Sequence, residues 1–375
     1  MKKVLQVTAG MNRAGAETMI MNIYRHIDRS KLQFDFVVYS NEKQDYEDEI
    51  AQLGGSVIHI PIKRGAAMVK SIEAIRKILK TNGPYCAIHA ATLFNSSYAM
   101  LASLFIPNLV RVVHSHSTGN KRKNSLLDKL YEFLSRLIII SMGQKFLACG
   151  EEAGKFLFGK KFTQKGVVLN NAIDIDLFYD ANKDAVARLR GELGISNGTL
   201  VIGNVARLEE VKNHAKMIEI ARQMKSRQIE FKMLFIGRGG LENKIRAEIK
   251  RYGLEKEVLL LGIRSDIPDL LHTMDVLLMP SIFEGNPVSL IEAQAASVPC
   301  VISDIITDKI DMGLQLVSKV ALSANADNWV NHILKASKSA KPSKEQVVEG
   351  LRKHGYDLNE TTKLLTDIYL GNKNQ

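Results

Sequence analysis

The sequence predicts an α/β protein made of two doubly wound, Rossmann-like domains, and three observations support this prediction. The chain has 375 residues, which is more than one hydrophobic core usually supports. Short β-branched runs alternate with longer amphipathic segments, the pattern of parallel strands joined by crossover helices. This series occurs twice, on either side of a polar stretch, Asp180 to Gly198, in which no strand is predicted.

The first series contains seven predicted strands with helices between them. The clearest helices are Ala16–His26 and Met68–Leu79, and in the second of these the apolar residues recur at helical spacing. The strands are Val4–Thr8, Phe34–Tyr39, Ser56–Ile60, Ala87–Ala90, Val110–His114, Lys145–Ala148 and Val167–Leu169.

The second series contains five predicted strands, namely Leu200–Val205, Phe231–Ile236, Val258–Leu261, Val276–Met279 and Cys300–Ser303. We expect an N-terminal domain over residues 1–185, a second domain over residues 186–350, and a C-terminal helix within residues 351–375 that could pack back on the first domain. Open parallel sheets bind ligands at the carboxyl ends of their strands, so candidate site residues are those that directly follow a strand.

Composition and cysteine usage indicate a cytoplasmic protein. Hydrophobic residues make up 46% and charged residues 24% of the chain, which is typical of a globular protein. No apolar run has the length of a signal-peptide core or of a membrane-spanning helix. Cys86, Cys149 and Cys300 are scattered along the chain, which fits a reducing compartment better than a disulfide framework or a zinc site.

The formal net charge of +11 is concentrated in the first half of the chain. Residues 1–180 contain 24 Lys and Arg against 16 Asp and Glu, and between Pro61 and Asn170 the balance is 17 against 5. This asymmetry indicates an anionic partner for the first half. Nucleic acid, a membrane surface and a phosphorylated substrate are the candidates.

Two candidate motifs follow strands of the first half. Gly10–Glu17 combines glycines with the start of a helix, where free amides favour a phosphate. A tight turn that needs glycine is the alternative explanation. His114 and His116 end the fifth predicted strand, where imidazoles can orient a hydroxyl or donate to a developing charge. A structural role of both is the alternative, and metal binding lacks a third ligand at suitable spacing.

Two cations follow the first strand of the second half. Arg207 and Lys212 lie in a strand-to-helix loop, so both side chains can point into a cleft. Two fixed cations that face a diphosphate can neutralise a leaving group, as Mg²⁺ does in other enzymes. The alternative is that they form surface ion pairs with Glu209 and Glu210, which would contribute little.

The segment Pro280–Ala293 carries the strongest signal. Asn286 suits the N-cap and Pro287 the first position of a helix, so Glu284 precedes the helix and Glu292 lies in its second turn. Carboxylates accept hydrogen bonds from sugar and ribose hydroxyls, and amides at a helix start favour phosphate. An ordinary helix start explains the Asn-Pro pair but does not require two carboxylates around it.

These motifs resemble those of the GT-B retaining glycosyltransferases of family 4, particularly those of bacterial capsule and exopolysaccharide synthesis. The resemblance covers essentially the whole chain, and the Glu284-x7-Glu292 element is its most specific part. The Gly203–Asn213 run, the Phe235–Gly239 turn, the first glycine loop and the His-Ser-His strand end also match. It implies two Rossmann-like domains that face a central cleft, a nucleotide-sugar donor with a UDP-sugar expected, and no metal or other cofactor.

The resemblance also implies a role for each motif residue. Arg207 and Lys212 would bind the donor diphosphate with Gly15 close to it, Glu292 would accept from the ribose hydroxyls, and Glu284 would hold the transferred sugar. With His116, which would face the reacting sugar, the expected catalytic residues are His116, Glu284, Arg207 and Lys212.

The remaining implied contacts concern the base, the sugar and the acceptor. Backbone near Ile263 and Arg264 would meet the base, and His114 could contact the sugar or the acceptor. The loop ahead of the helix would help to hold the sugar through Gly285, Asn286, Pro287 and Val288. The family often has an apolar residue in place of Asn286, so this departure could alter sugar preference.

The implied mechanism needs no covalent nucleophile and no metal. The leaving phosphate oxygen would take the acceptor proton, and cleft closure would exclude water. Asp174-Ile175-Asp176 looks like the Asp-x-Asp metal motif of a different transferase fold. Because it follows the last strand of the first domain, we interpret it as structural.

The expected acceptor is a glycan or a polyprenyl-diphosphate-linked sugar. Lys121–Lys123 precedes an apolar stripe between Leu126 and Ile140, and such a segment could lie on the anionic inner face of the cell membrane, near a lipid-linked acceptor. A helix that faces the core, with solvated lysines beside it, is the alternative.

Three rival functions stay open at this point. A nucleotide-sugar epimerase of the same fold would use comparable phosphate contacts and release an isomerised sugar without any acceptor. A glycoside hydrolase would use Glu284 and Glu292 as acid and base, which leaves Arg207 and Lys212 unexplained. A nucleic-acid-binding protein would use the basic region, but interleaved aromatics and a recognition motif are missing, so no nucleic-acid partner is expected.

Overall fold

The computed structural model describes residues 1–13, 15–60, 67–117, 119 and 125–372. The chain forms two compact units, of which unit 1 comprises Met1–Ala172 with Leu358–Gln375 and unit 2 comprises Ile173–Asp357. These boundaries differ from those expected at 185 and 350. The polar stretch in which the boundary was expected contains a helix, Lys183–Glu192, and its Leu189 is buried in the core of unit 2.

Unit 1 contains seven strands and, before the chain leaves it, seven helices among the described residues. The strands are β1 (Lys2–Thr8), β2 (Leu32–Val38), β3 (Ser56–His59), β4 (Tyr85–Ala90), β5 (Val110–Ser115), β6 (Lys145–Ala148) and β7 (Gly166–Val168). The helices are α1 (Gly15–His26), α2 (Glu47–Gln52), α3 (Ala67–Thr81), α4 (Ser96–Ala102), α5 (Leu126–Met142), α6 (Glu151–Phe158) and α7 (Lys160–Lys165), with a 3-10 turn at Leu93–Asn95.

The sheet of unit 1 is entirely parallel, in the order β3-β2-β1-β4-β5-β6-β7. Successive residues of β1 are buried on opposite faces: Val4 packs in one cluster with Met21 of α1, and Leu5 in another with Ile75 of α3. A parallel sheet buried on both faces needs apolar residues at nearly every position, which is why its strands could be predicted from continuous apolar runs.

Unit 2 repeats this architecture with six strands and eight helices within the described part of the chain. The strands are β8 (Leu200–Val205), β9 (Phe231–Ile236), β10 (Val258–Gly262), β11 (Val276–Met279), β12 (Cys300–Ser303) and β13 (Val317–Val320). The helices are α8 (Ile175–Tyr179), α9 (Lys183–Glu192), α10 (His214–Ser226), α11 (Glu242–Arg251), α12 (Ile267–Thr273), α13 (Val288–Ala295), α14 (Ala326–Ala336) and α15 (Lys344–Lys353), with 3-10 turns at Glu210–Lys212 and Asp308–Ile310.

The strand order of unit 2 is β10-β9-β8-β11-β12-β13, again entirely parallel. All five predicted strands are present, and β13 is an addition that the sequence did not indicate. It lies at the edge of the sheet and only Val320 of its four residues is buried. Because two of its four residues are polar, this edge strand lacks the continuous apolar run from which the other strands were predicted. The two parallel-sheet units confirm the predicted fold class.

The last helix, α16 (Leu358–Leu370), belongs to unit 1. It packs against α1, and its Leu365, Ile368 and Tyr369 are buried in the same cluster as Tyr24. Within unit 2, its first residue and a residue near its end are bonded, because the amide of Ile173 donates to the carbonyl oxygen of Tyr356 at 3.0 Å.

Helix α5 leaves most of its apolar side chains exposed. Only Ser135 and Ile139 of this helix are buried, and the six large apolar residues on its outer face are between 48% and 86% exposed: Leu126, Leu127, Leu130, Phe133, Leu134 and Leu137. We call these six residues the α5 stripe. The interpretation of this stripe as core-facing is therefore wrong. Lys121–Lys123 lie outside the described residues. In the part of the chain that the structure describes, no helix is long and apolar enough to span a membrane.

Candidate functional site

The candidate residues fall into two groups, one in each unit. In unit 2 they follow three strands of the sheet: Arg207 and Lys212 come after β8, Ile263 and Arg264 after β10, and Glu284 after β11. Because all strands are parallel, these loops emerge at the same edge of the sheet. The topology thus gathers residues that are more than seventy positions apart in the chain.

The most specific contact of this edge is an ion pair between Lys212 and Glu284. Nζ of Lys212 donates to both carboxylate oxygens, at 2.7 and 2.8 Å, and the two side chains are only 16% and 7% exposed. The backbone supports the pair, because the amide of Ile282 donates to the carbonyl oxygen of Val211 at 2.8 Å. The alternative of surface pairs with Glu209 and Glu210 is therefore wrong for Lys212.

Arg207, in contrast, does form a surface ion pair with Glu209, as the alternative explanation expects. Its guanidinium lies 2.6 Å from a carboxylate oxygen of Glu209, and its side chain is 74% exposed. Exposed pairs of this kind contribute little to stability, so Arg207 can exchange Glu209 for an anionic ligand at small cost. Arg207 and Lys212 thus differ, since one cation is held loosely and the other is locked to a buried carboxylate.

Two glycines in the turn after β9 allow the backbone of this turn to pack closely against the loop that carries Arg207. Gly237 has φ of +137°, and a Cβ there would lie 2.1 Å from the carbonyl oxygen of Ala206. A Cβ at Gly239 would lie 2.4 Å from the carbonyl oxygen of Leu208. Backbone packs directly on backbone, and the two glycines of the Phe235–Gly239 turn therefore support the cation loop.

Helix α13 begins one residue later than predicted. Its N-cap is Pro287, which has no side chain to cap the helix, and the helix runs from Val288. Asn286 does not cap it, because its Oδ1 accepts a hydrogen bond from the hydroxyl of Tyr356 at 3.1 Å. The first-turn amides of α13 thus have no side-chain cap, and Gly285 just before them has no described atom within 4 Å of a Cβ position. A helix start of this kind favours an anion.

Glu292 is in a different state from Glu284. It is largely buried, and this burial raises the pKa of its carboxyl group to about 7. Among the described residues no side chain or amide forms a hydrogen bond or ion pair with this carboxyl group. A buried carboxyl without an internal partner is a frequent mark of a ligand site.

Just after β10, the side chain of Arg264 binds the carboxylate of Asp266 in the same loop. Its Nε donates to Oδ1 of Asp266 at 2.8 Å, and this hydrogen bond raises the pKa of the guanidinium. Ile263 beside it is exposed. Since the guanidinium is used within the loop, a ligand at this position would meet the exposed Ile263 and the backbone.

In unit 1, the two glycines of the Gly10–Glu17 loop have different surroundings. A Cβ at Gly10 would lie 2.7 Å from Oε1 of Gln44, the atom that accepts from the amide of Met11 at 3.1 Å. A Cβ at Gly15, the first residue of α1, would meet no described atom within 4 Å. The contact with Gln44 therefore explains why residue 10 is a glycine. At Gly15 no described atom excludes a side chain, and the start of the helix faces open space.

His114 and His116 lie against each other at the end of β5, with ring centroids 3.8 Å apart. His114 is fully buried and neither of its ring nitrogens has a partner among the described residues, nor does Nε2 of His116. Burial lowers the pKa of His116 to about 4, and burial together with the neighbouring imidazoles lowers the pKa of His114. Both rings are therefore neutral near pH 7, and they can orient a hydroxyl but do not supply positive charge.

His116 lines a cavity of about 420 Å³ at the carboxyl edge of the unit 1 sheet. The polar residues around it are uncharged: Tyr39, Thr92, Asn95, His116 and Ser117. The hydroxyl of Tyr39 is buried without a partner in the described structure. Sequence reasoning missed Tyr39, Thr92 and Asn95, although their positions at or just after strand ends were the available signal. Such a lining suits a neutral ligand that carries hydroxyl groups.

The two aspartates after β7 both have structural partners. Oδ1 of Asp174 accepts from the amide of Leu177 at 3.2 Å and caps α8, and Asp176 forms an ion pair with Lys344 at 2.8 Å. Within the described ranges, no three His, Cys, Asp or Glu side chains are arranged to hold a metal ion.

Comparison with known proteins adds independent information. The model of Glycosyltransferase Family 4 matches residues 13–177, and that of Glycosyl transferases group 1 matches residues 186–353. The putative glycosyltransferase EpsF of Bacillus subtilis (strain 168) is 40% identical over 370 residues, which cover 98% of this chain and 96% of that protein.

Two further proteins are similar. The UDP-Gal:alpha-D-GlcNAc-diphosphoundecaprenol alpha-1,3-galactosyltransferase of Escherichia coli is 29% identical over 248 residues, 63% of this chain and 62% of that protein. The crystal structure of HepE from Anabaena in complex with UDP superimposes with a TM-score of 0.74 at 18% identity, over 98% of this chain and 99% of that one. This second likeness concerns the fold, and it confirms the expected GT-B class.

Proposed function

Since the chain belongs to the glycosyltransferases of family 4, we propose that it transfers a sugar from a UDP-sugar, with retention of anomeric configuration, to a glycan or polyprenyl-diphosphate-linked acceptor in cell-surface polysaccharide synthesis. That it is a glycosyltransferase follows from the family. The donor, the acceptor and the stereochemistry are the proposal. The observation that carries it is the ion pair of Lys212 with Glu284, which stands at the same sheet edge as an uncapped helix start.

The donor diphosphate would bind to Arg207, Lys212 and the first amides of α13. In the described part of the chain, Arg207 is held by a single exposed pair with Glu209, so a phosphate can replace Glu209 at a small cost in free energy. The E. coli relative is named for UDP-Gal, and HepE was solved with UDP. Both names support a UDP-sugar. Gly15 is included in the proposal as a phosphate contact of unit 1, because it leaves open space at the start of α1.

Donor binding would then separate Lys212 from Glu284, so that one binds the phosphate and the other binds the sugar. When the diphosphate binds, Lys212 turns its ammonium group toward a phosphate oxygen, and the carboxylate of Glu284 becomes available to the sugar hydroxyls. Gly285, Asn286, Pro287 and Val288 hold this loop beside the sugar. Glu292 accepts from the ribose hydroxyls, which supply the partners that its buried carboxyl group lacks. The base lies against Ile263 and the backbone of Arg264.

The chemistry then proceeds without a covalent intermediate on the protein. The bond between the anomeric carbon and the diphosphate oxygen breaks while Arg207, Lys212 and the α13 amides stabilise the charge that grows on that oxygen. The acceptor hydroxyl attacks from the same face and passes its proton to the leaving oxygen. His116, neutral in its buried position, orients a hydroxyl of the reacting sugar, and His114 packs behind it.

The acceptor would approach through unit 1. The cavity beside His116 has an uncharged polar lining, which suits sugar hydroxyls. The α5 stripe is exposed on the same unit, and the E. coli relative is named for a diphosphoundecaprenol-linked acceptor. We therefore include peripheral association with the anionic inner face of the cell membrane in the proposal, with the α5 stripe as the contact surface.

Calorimetric titration with UDP, GDP and ADP in the presence of EDTA tests the donor site. Binding of UDP without metal, weakened in the Arg207→Ala variant, supports the proposal, and binding of none of the three nucleotides overturns it. Incubation with UDP-galactose or UDP-glucose and GlcNAc-diphosphoundecaprenol then tests transfer. An isomerised nucleotide-sugar formed without acceptor would identify an epimerase, and an inverted anomeric centre in the product would exclude retention.

A further inference from the structure

Behind His116, two more aromatic side chains extend the histidine pair into the interior of unit 1. His89 on β4 stacks on His114, with ring centroids 5.3 Å apart and an angle of 15° between the planes. The hydroxyl of Tyr369 on α16 lies 2.6 Å from Nδ1 of His89. We call His116, His114, His89 and Tyr369 the histidine stack. His89 and Tyr369 are both buried, and neither belongs to a motif found in the sequence.

Within the described part of unit 1, the bond to Tyr369 is the single hydrogen bond that holds an imidazole of this stack. Both ring nitrogens of His114 and the Nε2 atoms of His89 and His116 have no partner among the residues that the structure describes. The side-chain amide of Gln6 donates to the hydroxyl oxygen of Tyr369 at 3.3 Å. With Gln6 as a donor to the hydroxyl oxygen, the hydroxyl proton can be donated to Nδ1 of His89, and in that tautomer the ring proton of His89 resides on Nε2.

The hydrogen bond from Tyr369 acts on the ring of His89, and the other two imidazoles follow this ring in the stack. Burial lowers the pKa of His89 to about 3 and that of His116 to about 4, so these neighbouring rings stay neutral and pack without repulsion between charges. Contacts between ring faces are kept when an imidazole flips by roughly 180° about its Cβ–Cγ bond, whereas a hydrogen bond to Nδ1 favours one of the two flip states. The hydrogen bond to Tyr369 therefore selects the orientation of the His89 ring, which the ring contacts alone leave open.

We propose that Tyr369 is a positioning residue of the transferase, which fixes His89, and through the contact of His89 with His114 sets the ring of His116 at the cavity. The proposal rests on the role of His116 in the proposed function. It gives the C-terminal helix α16 a task in the reaction beyond closing the core of unit 1.

The Tyr369→Phe substitution tests this with a matched control. It removes the hydroxyl and keeps the ring, which packs edge-on against Phe34 at 5.8 Å. Tyr24 provides the control, because it also packs on Phe34, at 5.1 Å, and its hydroxyl accepts from the side-chain amide of Gln33 at 2.6 Å. Tyr24→Phe thus loses a comparable buried hydroxyl in the same core, away from the histidines.

The kinetic readout is UDP release from the donor that the wild type accepts. We expect kcat of Tyr369→Phe to fall about tenfold with KM for the donor nearly unchanged, because misplacement of a reacting group lowers the rate far more than it affects binding. Tyr24→Phe should keep its kcat. Equal kcat values for the two variants would overturn the proposal, whatever their melting temperatures. His89→Phe, which keeps a ring in the stack and removes the acceptor, should reproduce the effect if Tyr369→Phe does not fold.

A second readout does not depend on activity. With histidine-selective ¹⁵N labelling, the imidazole resonances of His116, assigned by their loss in His116→Gln, should shift in Tyr369→Phe and not in Tyr24→Phe. Unchanged His116 resonances in Tyr369→Phe would overturn the proposal. If the wild type releases no UDP from any UDP-sugar, the proposed function fails, and the imidazole spectra still decide whether Tyr369 sets the ring of His116.

Discussion

Lys212 and Glu284 form a largely buried ion pair although 72 positions separate them in the chain. The pair joins the loop after β8 to the loop after β11, the two loops that carry most of the proposed donor site. A buried charge that loses its partner is strongly destabilising. The pair is therefore both a structural tie of unit 2 and, in the proposed function, a contact that donor binding rearranges.

Lys212→Ala should lower the free energy of unfolding by about 3 kcal/mol, because it leaves the carboxylate of Glu284 buried and unpaired. The double variant Lys212→Ala/Glu284→Gln should recover part of that loss, since neither charge then remains. Chemical denaturation of the four proteins of this double-mutant cycle measures the coupling. Lys244→Ala, which removes an exposed pair with Glu210, is the control and should change stability by less than about 0.5 kcal/mol. A Lys212→Ala variant as stable as this control would contradict the expectation.

Arg207→Ala should behave in the opposite way, with weak effects on stability and strong effects on nucleotide binding. Its pair with Glu209 is exposed, so the melting temperature should hardly change. Loss of a charged hydrogen bond to the diphosphate should weaken UDP binding about tenfold to a hundredfold. Calorimetry in EDTA measures the affinity, with Arg246→Ala as the control, because Arg246 forms an exposed pair with Glu242 in the same unit. Equal UDP affinity of the two variants would remove Arg207 from the donor site.

Glu292 should make the stability of the ligand-free protein depend on pH. Burial raises its pKa in the folded protein to about 7, above the value of 4.5 that is usual for a glutamate side chain. Between these values the folded state binds more protons than the unfolded state, so stability falls as the pH rises from about 4.5 through 7. Glu292→Gln should abolish this decline and gain stability over wild type, by roughly 2–3 kcal/mol at pH 8. Denaturation of both proteins at pH 5 and pH 8 decides this, and parallel pH profiles would show the expectation to be wrong.

UDP binding offers a second check on Glu292. Ribose hydroxyls donate more strongly to the ionised carboxylate, so UDP binding should release a proton near pH 7 and tighten as the pH rises from 6 to 8. Titrations in buffers of different ionisation enthalpy count the released protons. Proton release that persists unchanged in Glu292→Gln would have to come from another group.

The α5 stripe should bring the protein to anionic vesicles. In flotation with vesicles that contain phosphatidylglycerol, the wild type should rise with the lipid, and the triple variant Leu127→Ser/Leu130→Ser/Leu134→Ser should not, because apolar contact with the acyl region is lost. Leu177→Ser, at an exposed leucine of unit 2, is the control. Absence of wild-type protein from the lipid fraction would remove membrane association from the proposal.

The sequence by itself determined the two α/β units and the positions of the motifs that form the proposed donor site. Strands buried on both faces appear as continuous apolar runs, and parallel topology places post-strand residues at one edge. For this reason Arg207, Lys212 and Glu284 could be found without a structure. The local signal failed where it was weak: β13 is a half-polar edge strand, and the polar stretch after Asp180 proved to be an amphipathic helix.

Only the tertiary structure decided which partner each polar group has. Lys212 binds Glu284 rather than its neighbours Glu209 and Glu210, and Asn286 accepts from Tyr356 instead of capping α13. His89 meets Tyr369, 280 positions away. Periodicity, propensity and motif spacing describe a residue's neighbours along the chain, whereas these contacts depend on how strands, loops and the returning C-terminal helix pack in space. Distant partners leave no local pattern in a single sequence, and packing alone brings them together.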